Sequence, residues 1–283
     1  MAGLTTFQVG GEARYVLEPR DEAELSAALA WAHAGGLSVF AMGRGSNLVV
    51  SDTGFDGAIV RLGPGFSGTE WTNTVVTAKA GTRLSELVLQ AVGKGLGGME
   101  KLAGIPGSVG GAVILNAGAY GQEFSDHLVG VRALAPNGEV RDWPRDQCDF
   151  AYRHSIFRDN GHLVVSATLE LVEGDLDSLR QSVRETQKAR LDKQPLDLPN
   201  AGSLFKRPPG GYASKMVEEA GLKGFRVGAA AISEKHAGFA VNLGGATASD
   251  VWNLSCEVIR RVREFNGVTL EREVVFLGDF PAT

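Results

Sequence analysis

Arg153, Ser203 and Glu273 stand in surroundings too particular for ordinary surface polar residues. Arg153 belongs to Tyr152-Arg153-His154-Ser155-Ile156-Phe157. If this stretch is extended, Arg153, Ser155 and Phe157 point to one side. An arginine with apolar neighbours can grip a carboxylate through paired hydrogen bonds. Ser203 follows a glycine and precedes an apolar pair in Ala201-Gly202-Ser203-Leu204-Phe205-Lys206-Arg207-Pro208. That context places its hydroxyl at a tight entry into a packed element, with two cations just beyond. Glu273 lies in Leu270-Glu271-Arg272-Glu273-Val274-Val275-Phe276-Leu277. Read as a strand over 268–277, the segment turns Val268, Leu270, Val274 and Phe276 one way. Glu271, Glu273, Val275 and Leu277 then face the other way, so Glu273 shares a face with aliphatic residues. A half-buried carboxylate needs a partner or a raised pKa. Each residue also has a plain structural reading: a loop arginine in solvent, a turn serine bonded to nearby backbone, an edge-strand glutamate. The nucleophile-elbow pattern Gly-x-Ser-x-Gly is absent and no histidine partner is evident, which argues against serine acylation.

Two glycine-rich segments suggest what these side chains act beside. One is Gly43-Arg44-Gly45-Ser46-Asn47; the other runs from Gly104 through Ile105-Pro106-Gly107-Ser108-Val109-Gly110-Gly111 to Asn116-Ala117-Gly118-Ala119-Tyr120-Gly121. Gly107, Gly110 and Gly111 can take positive φ and allow close approach. Successive N–H groups in such turns form an anion-binding concavity. Two of these loops suggest a phosphate-bearing cofactor held from two sides. There is no Gly-x-x-x-x-Gly-Lys-Ser/Thr run, so this is not a P-loop. Gly43-Arg44-Gly45 follows an apolar run, but Leu48-Val49-Val50 and a turn at Ser51-Asp52-Thr53-Gly54 come next, where a Rossmann fingerprint requires a helix.

The elements that must position these residues alternate without a clean βαβ rhythm, which indicates an α+β chain. The residue pattern predicts helices over 21–33, capped by Asp21, and from a Thr82 cap onward with Leu84, Leu87, Val88 and Ala91 inward. It also predicts a polar, exposed helix over 173–193, a short helix over 213–220 and a strong amphipathic helix over 247–265. Strands are expected over 37–42, 58–62, 73–78, 162–172, 239–242 and 268–277. A hairpin joins 129–135 to 139–143 through Pro136-Asn137-Gly138. The chain of 283 residues suits two domains. Its net charge of −5 argues against general nucleic-acid binding. No apolar run approaches membrane-spanning length and the N-terminus lacks signal-peptide features. Cys148 and Cys256 are in no metal or redox spacing, which fits a reducing cytoplasm, and the scattered histidines predict no metal.

Taken in order, these motifs resemble the UDP-N-acetylenolpyruvoylglucosamine reductase (MurB) family of bacterial peptidoglycan synthesis, over almost the whole chain. Phe157 leads almost directly into the 162–172 strand, without the inserted segment of the longer members, so the chain resembles the type II subgroup. The resemblance implies a two-part FAD-binding unit of the vanillyl-alcohol oxidase/CO dehydrogenase flavoprotein type at 1–173, with subdomains at about 1–55 and 56–173. An α+β substrate-binding domain follows at 174–283. It implies that NADPH reduces FAD and that hydride then passes from flavin N5 to C3 of the enolpyruvyl ether, giving UDP-N-acetylmuramate. The implied catalytic residues are Arg153 and Glu273 at the substrate carboxylate and Ser203 as the acid that protonates C2. Gly43, Arg44, Gly45, Ser46, Asn47, Gly104, Ile105, Pro106, Gly107, Ser108, Gly110, Gly111, Asn116, Ala117, Gly118 and Ala119 are implied for the cofactor. Tyr152, Lys193, Lys206 and Arg207 are implied for the substrate. The expected partner is a small molecule, with neither nucleic acid nor membrane, and a monomer is compatible with all of this. The alternative is another FAD-dependent oxidase or dehydrogenase on the same scaffold.

Overall fold

In the computed structural model, which describes residues 1–281, the chain's internal contacts define two units. The larger comprises Tyr15–Gly43 and Gly57–Arg190; the smaller comprises Met1–Arg14, Arg44–Asp56 and the chain from Leu191 onward. Among the described residues, no helix is long and apolar enough to cross a membrane.

The larger unit is built on an antiparallel five-stranded sheet in the order Val140–Pro144, Leu128–Leu134, Leu163–Glu170, Val75–Lys79, Thr69–Thr72. The expected hairpin is its edge: Leu134 pairs with Val140, and Gly138 takes φ +85° in the turn. The strand expected from Asn73 begins later, at Val75, because Asn73 at φ +53° sits in the tight turn from the preceding strand. A smaller sheet pairs Ser38–Met42 in parallel with Phe55–Arg61, which lies between it and Ala13–Leu17.

Helix α1 (Glu22–Ala34) starts as its sequence predicts, with the Asp21 carboxylate accepting the Glu24 N–H at 2.8 Å. Helix α2 (Leu84–Gly93) buries Leu84, Leu87, Val88 and Ala91 as expected. Thr82 does not cap it. Its hydroxyl instead accepts the Gly68 N–H at 2.9 Å and donates to the Gly68 carbonyl at 3.0 Å, pinning a neighbouring turn. Helix α3 (Val109–Ile114) packs in the same core, and α4 (Leu176–Lys193) runs out of the unit at its C-terminal end. Most of α4 is exposed, as its composition suggests, but Val183 and Thr186 are buried.

The smaller unit packs α5 (Ala213–Glu219) and α6 (Ala248–Asn266) with a three-stranded sheet, Arg226–Val227, Ala230–Ile232 and Ala240–Asn242. Val251, Leu254, Val258 and Val262 form the buried stripe of α6. A Thr247/Asp250 capping box starts this helix, and Gly267 in the left-handed region ends it. The Asp52 carboxylate also accepts the Ala248 and Ser249 N–H groups at 2.7 and 2.8 Å and the Ser249 hydroxyl at 2.6 Å.

The strand expected over 268–277 is shorter. Only Val275–Leu277 pairs, in parallel with Leu48–Val50. Upstream, the alternating burial survives at Leu270 and Val274 with a single bridge between Arg272 and Phe205. An extended segment alternates its side chains whether or not a neighbour supplies a ladder, and here the three-residue partner is the limit.

Candidate active site

In the smaller unit, main-chain hydrogen bonds hold Asn47, Leu204 and Glu273 together. The Glu273 N–H donates to the Leu204 carbonyl at 2.9 Å, and the Val275 N–H donates to the Asn47 carbonyl at 3.0 Å. The Asn47 amide reaches back to the Glu273 carbonyl at 3.1 Å. Two residues further out on each strand of chain, the Lys206 N–H donates to the Glu271 carbonyl at 2.9 Å, and the Lys206 ammonium pairs with the Glu271 carboxylate. Ser203 enters this arrangement after Gly202, which turns at φ +77°, and forms a bridge with Phe239. The turn, the serine and the carboxylate-bearing segment thus share one backbone framework. Arg272 points the other way: its guanidinium lies 4.0 Å from the Trp252 ring centroid, with Nε donating to the Ser255 hydroxyl at 2.7 Å. Burial pushes it below the usual arginine range.

Arg207 stacks its guanidinium on the Tyr212 ring at 4.5 Å. Lys193, the last residue of α4, is exposed and is not joined to this framework by any hydrogen bond among the described residues. It acts instead on His236. Burial pushes that imidazole below its ordinary value, and Lys223 and Lys193 add to the shift against the pull of a backbone hydrogen bond and Glu218.

The loop Arg44–Asn47 offers a donor surface. The main-chain N–H groups of Arg44, Gly45, Ser46 and Asn47 find no protein acceptor among the described residues, and Gly45 sits at φ +61°. A Cβ on Gly45 would come within 2.6 Å of the Leu4 carbonyl oxygen. Successive N–H groups around a left-handed residue form a concavity suited to phosphate. This donor set fits a pyrophosphate-bearing cofactor.

In the larger unit the second glycine segment is arranged differently from its sequence expectation. Gly110 and Gly111 lie inside α3, in helical rather than left-handed conformation. The Val109 and Gly110 N–H groups are taken by the carbonyls of Thr82 and Ala80 at 2.9 and 2.8 Å. The Gly111 N–H goes to the Ser108 cap at 3.4 Å. What the glycines supply is space: a Cβ on Gly43 would lie 2.2 Å from Ser108 Oγ, so the first loop's edge and the cap of α3 pack without side chains between them. Ile105 closes the turn after Glu100–Leu102 by donating its N–H to Leu102 at 3.0 Å, and Pro106 and Gly107 lead into the cap. The left-handed positions come later, at Asn116 (φ +40°), Tyr120 (φ +53°) and Gly121 (φ +81°). The last two make the turn of a small hairpin that pairs Gly118–Ala119 with Gln122–Glu123.

Arg153 is brought against this segment. It is not in an extended stretch: Ala151 and His154 bridge across a turn in which Arg153 takes φ +56°. Its guanidinium donates to the Gly118 carbonyl at 3.2 Å and lies 4.9 Å from the exposed Tyr152 ring. Ser155 points inward and donates to the Ile114 carbonyl at 3.0 Å, while Phe157 is buried in the core. Asn116, 1% exposed, ties the pieces together. Its amide donates to Glu123 at 2.8 Å and to the Ala151 carbonyl at 3.2 Å, and its oxygen accepts the Ser125 N–H at 3.1 Å. Sequence reasoning assigned Asn116 to a ligand; this internal bracket is a second role it did not foresee. It also passed over Arg190, whose side chain lies against Gly104. The signal was the inward stripe of α4, where Leu179, Val183, Thr186 and Arg190 recur at helical spacing.

Comparison with known proteins first defines the class. Residues 13–143 match the family model of the FAD binding domain, so the chain is built as a flavoprotein. Residues 194–277 match the model described as UDP-N-acetylenolpyruvoylglucosamine reductase, C-terminal domain. The chain is 42% identical to the UDP-N-acetylenolpyruvoylglucosamine reductase of Agathobacter rectalis, over 98% of this chain and 91% of that protein. It is also 42% identical to that of Levilactobacillus brevis, over 100% and 93%. The crystal structure of MurB from Thermus caldophilus superimposes with a TM-score of 0.83 at 36% identity, covering 98% of this chain and 97% of that one. The chain belongs to the UDP-N-acetylenolpyruvoylglucosamine reductase family.

Proposed function

We propose that this protein reduces UDP-N-acetylglucosamine enolpyruvate to UDP-N-acetylmuramate for peptidoglycan synthesis, with FAD as cofactor and NADPH as reductant. The observation that carries this reading is full-length similarity to reductases of this name, with Arg153, Ser203 and Glu273 all present. Bound FAD supplies the hydride that reaches C3 of the vinyl ether. The pyrophosphate is taken by the N–H groups of Arg44–Asn47, and Gly104–Gly111 and Asn116–Ala119 give the cofactor a close, side-chain-poor backbone surface. We assign cofactor binding to 1–173, with subdomains at about 1–55 and 56–173, and substrate binding to 174–283.

The residues then divide the work. Hydride addition at C3 drives charge onto C2 and its carboxylate, an enolate-like species. Arg153 and Glu273 stabilise that charge, each donor contributing on the order of 3 kcal/mol in a preorganised site. Glu273 serves best protonated or sharing a proton with Arg153, because a bare carboxylate would repel the enolate. The Ser203 hydroxyl protonates C2; it is a weak acid, but a carbanion-like carbon is a strong base. Tyr152, Lys193, Lys206 and Arg207 bind the substrate, the cations facing its pyrophosphate and carboxylate. The enzyme works in the cytoplasm, and a monomer is compatible with this chemistry.

Stopped-flow measurement of Ser203→Ala tests the assignment. Flavin reduction by NADPH should stay near normal, while reoxidation by the enolpyruvyl substrate slows about 100-fold or more, the scale of a lost general acid. Equal slowing of both half-reactions would make Ser203 a binding or folding residue. A flavin that the substrate does not reoxidise would refute the reductase reading.

A further inference from the structure

Arg190 lies against the glycine segment at Gly104, and no group among the described residues completes it. It sits on the inward stripe of α4, one turn after the buried Thr186. Its Nε is fully enclosed and has no hydrogen-bond partner among the described residues; the hydroxyl of Thr186 is in the same condition. Buried polar atoms without partners are few in native proteins, and each calls for an explanation. Two on one stripe of one helix, one turn apart, point to a common cause. No carboxylate pairs with Arg190 among the described residues. Burial pushes its guanidinium below the usual arginine range, opposed only by the phenol of Tyr120. A half-buried cation left unpaired is costly, and an anionic partner offsets part of that cost.

The chain also makes room for this guanidinium. A Cβ on Gly104 would stand 2.2 Å from Arg190 Cδ and 2.6 Å from Nε. Gly104 opens the glycine segment assigned above to the cofactor, and Tyr120 lies near its end. The arginine thus lies against the backbone that the proposed function gives to a nucleotide ligand, with its donors committed to no protein group among the described residues.

We propose that Arg190 binds an anionic oxygen of a nucleotide-bearing ligand of this enzyme, and that Gly104 is required to let it lie there. The inference rests on the flavoenzyme reading, and FAD and the UDP-sugar are the two sources of such an oxygen.

Full-length wild type, Arg190→Met, Arg190→Lys and Gly104→Ala, stripped of flavin, are titrated with FAD by fluorescence quenching and with UDP-N-acetylglucosamine by calorimetry. Arg190→Met should weaken one of the two at least 30-fold, and the ligand affected identifies the source. Arg190→Lys should recover only part, because an ammonium lacks the planar fork. Gly104→Ala should weaken the same ligand by displacing the guanidinium without removing its charge. The melting temperature of ligand-free Arg190→Met should equal or exceed that of wild type, since an unpaired, half-buried charge is gone. Affinities for both ligands within threefold of wild type would overturn the proposal. So would a lowered ligand-free melting temperature with both affinities falling together, which marks a structural arginine. A wild-type protein that takes up no FAD would refute the flavoenzyme reading separately, and the UDP-sugar titration would still decide for or against Arg190.

Discussion

Asn116 gives the sharpest test of how the larger unit holds Arg153. Asn116→Ala removes a charge-assisted hydrogen bond to Glu123 and neutral ones to the Ala151 carbonyl and from the Ser125 N–H. A bond to a charged group contributes about 1.5–3 kcal/mol and a neutral one about 1 kcal/mol. Ser125 is 4% exposed, so its N–H would be left without an acceptor in the interior. Alanine also tolerates the left-handed backbone at φ +40° less well than asparagine. Because these effects overlap in one network, the expected total is about 3–5 kcal/mol rather than their full sum. At about 2–4 °C per kcal/mol for a chain of this size, the ligand-free protein should melt roughly 6–20 °C lower, read by circular dichroism. Asn116→Asp keeps the acceptor for Ser125 but turns a carboxylate oxygen toward Glu123 and the Ala151 carbonyl. It should be at least as destabilised at neutral pH and partly recover as the pair is protonated in acid. Melting of Asn116→Ala within 2 °C of wild type would refute this account of the bracket.

Gly43→Ala drives a Cβ into the Ser108 hydroxyl at 2.2 Å and should cost about 1–3 kcal/mol. Ser108→Ala alone loses a helix cap worth about 1 kcal/mol, and the double variant should be more stable than the sum, by urea denaturation, because the clashing oxygen is gone. For Asp52, burial raises the carboxyl pKa, but hydrogen bonds from the Ser249 hydroxyl and the Ser249 and Ala248 N–H groups outweigh it and hold the group below its ordinary value. Its stabilisation is therefore fully present above the unfolded pKa near 3.9 and is lost as pH falls through the lower native value. Asp52→Asn should be less stable than wild type at pH 7 by about 1 kcal/mol, the size of a lost cap, and the gap should close in acid denaturation below about pH 4. Burial, with Asp146 adding and Arg145 opposing, pushes the Cys148 thiol up to about 11. Alkylation at pH 8 with peptide mapping should leave Cys148 unmodified until the protein is unfolded.

The periodic elements were legible in the sequence because burial imposes their pattern. Helix α6 announces itself through its apolar period, and Val251, Leu254, Val258 and Val262 are buried as that period requires, while the capping box and terminal glycine are seen only in the structure. The 128–144 hairpin was legible for the same reason: alternating side chains flank a turn whose residues suit it. What failed were inferences from residue type to conformation. Thr82 is a good capping residue on statistics, yet a nearer pair of groups on Gly68 competes for its hydroxyl. Gly110 and Gly111 look like left-handed positions but are helical, and only at Gly110 does a neighbour crowd the space, with Ala80 Cβ 3.0 Å from where a Cβ would stand. The left-handed residue in the Tyr-Arg motif is Arg153 itself, a conformation no composition rule assigns to arginine. The candidate site residues were visible as motifs, while their supports were not. Asn47 and Glu273 are 226 residues apart, and nothing local indicates that one holds the other.

That last pairing explains why motifs so distant in sequence belong to one design in the smaller unit. Asn47 ends the loop whose N–H groups have no acceptor among the described residues, and its own side chain and carbonyl secure the main chain on both sides of Val274. Leu204, next to Ser203, takes the Glu273 N–H. A shift of the loop is therefore transmitted to the glutamate through two hydrogen bonds, and from there to the segment carrying the serine through one more. The Val275–Asn47 and Glu273–Leu204 bonds join backbone to backbone and hold position better than side-chain contacts, because neither partner has rotamers to lose. Proton transfer and charge stabilisation depend on sub-ångström placement, so such a framework suits the roles proposed for Ser203 and Glu273. The loop then has two roles that cannot be separated: it presents donors to a ligand and it sets the register of the carboxylate. Changes at Asn47 would be felt in chemistry as well as in cofactor binding, whereas changes at Arg44, whose side chain is exposed, would be confined to the surface it presents.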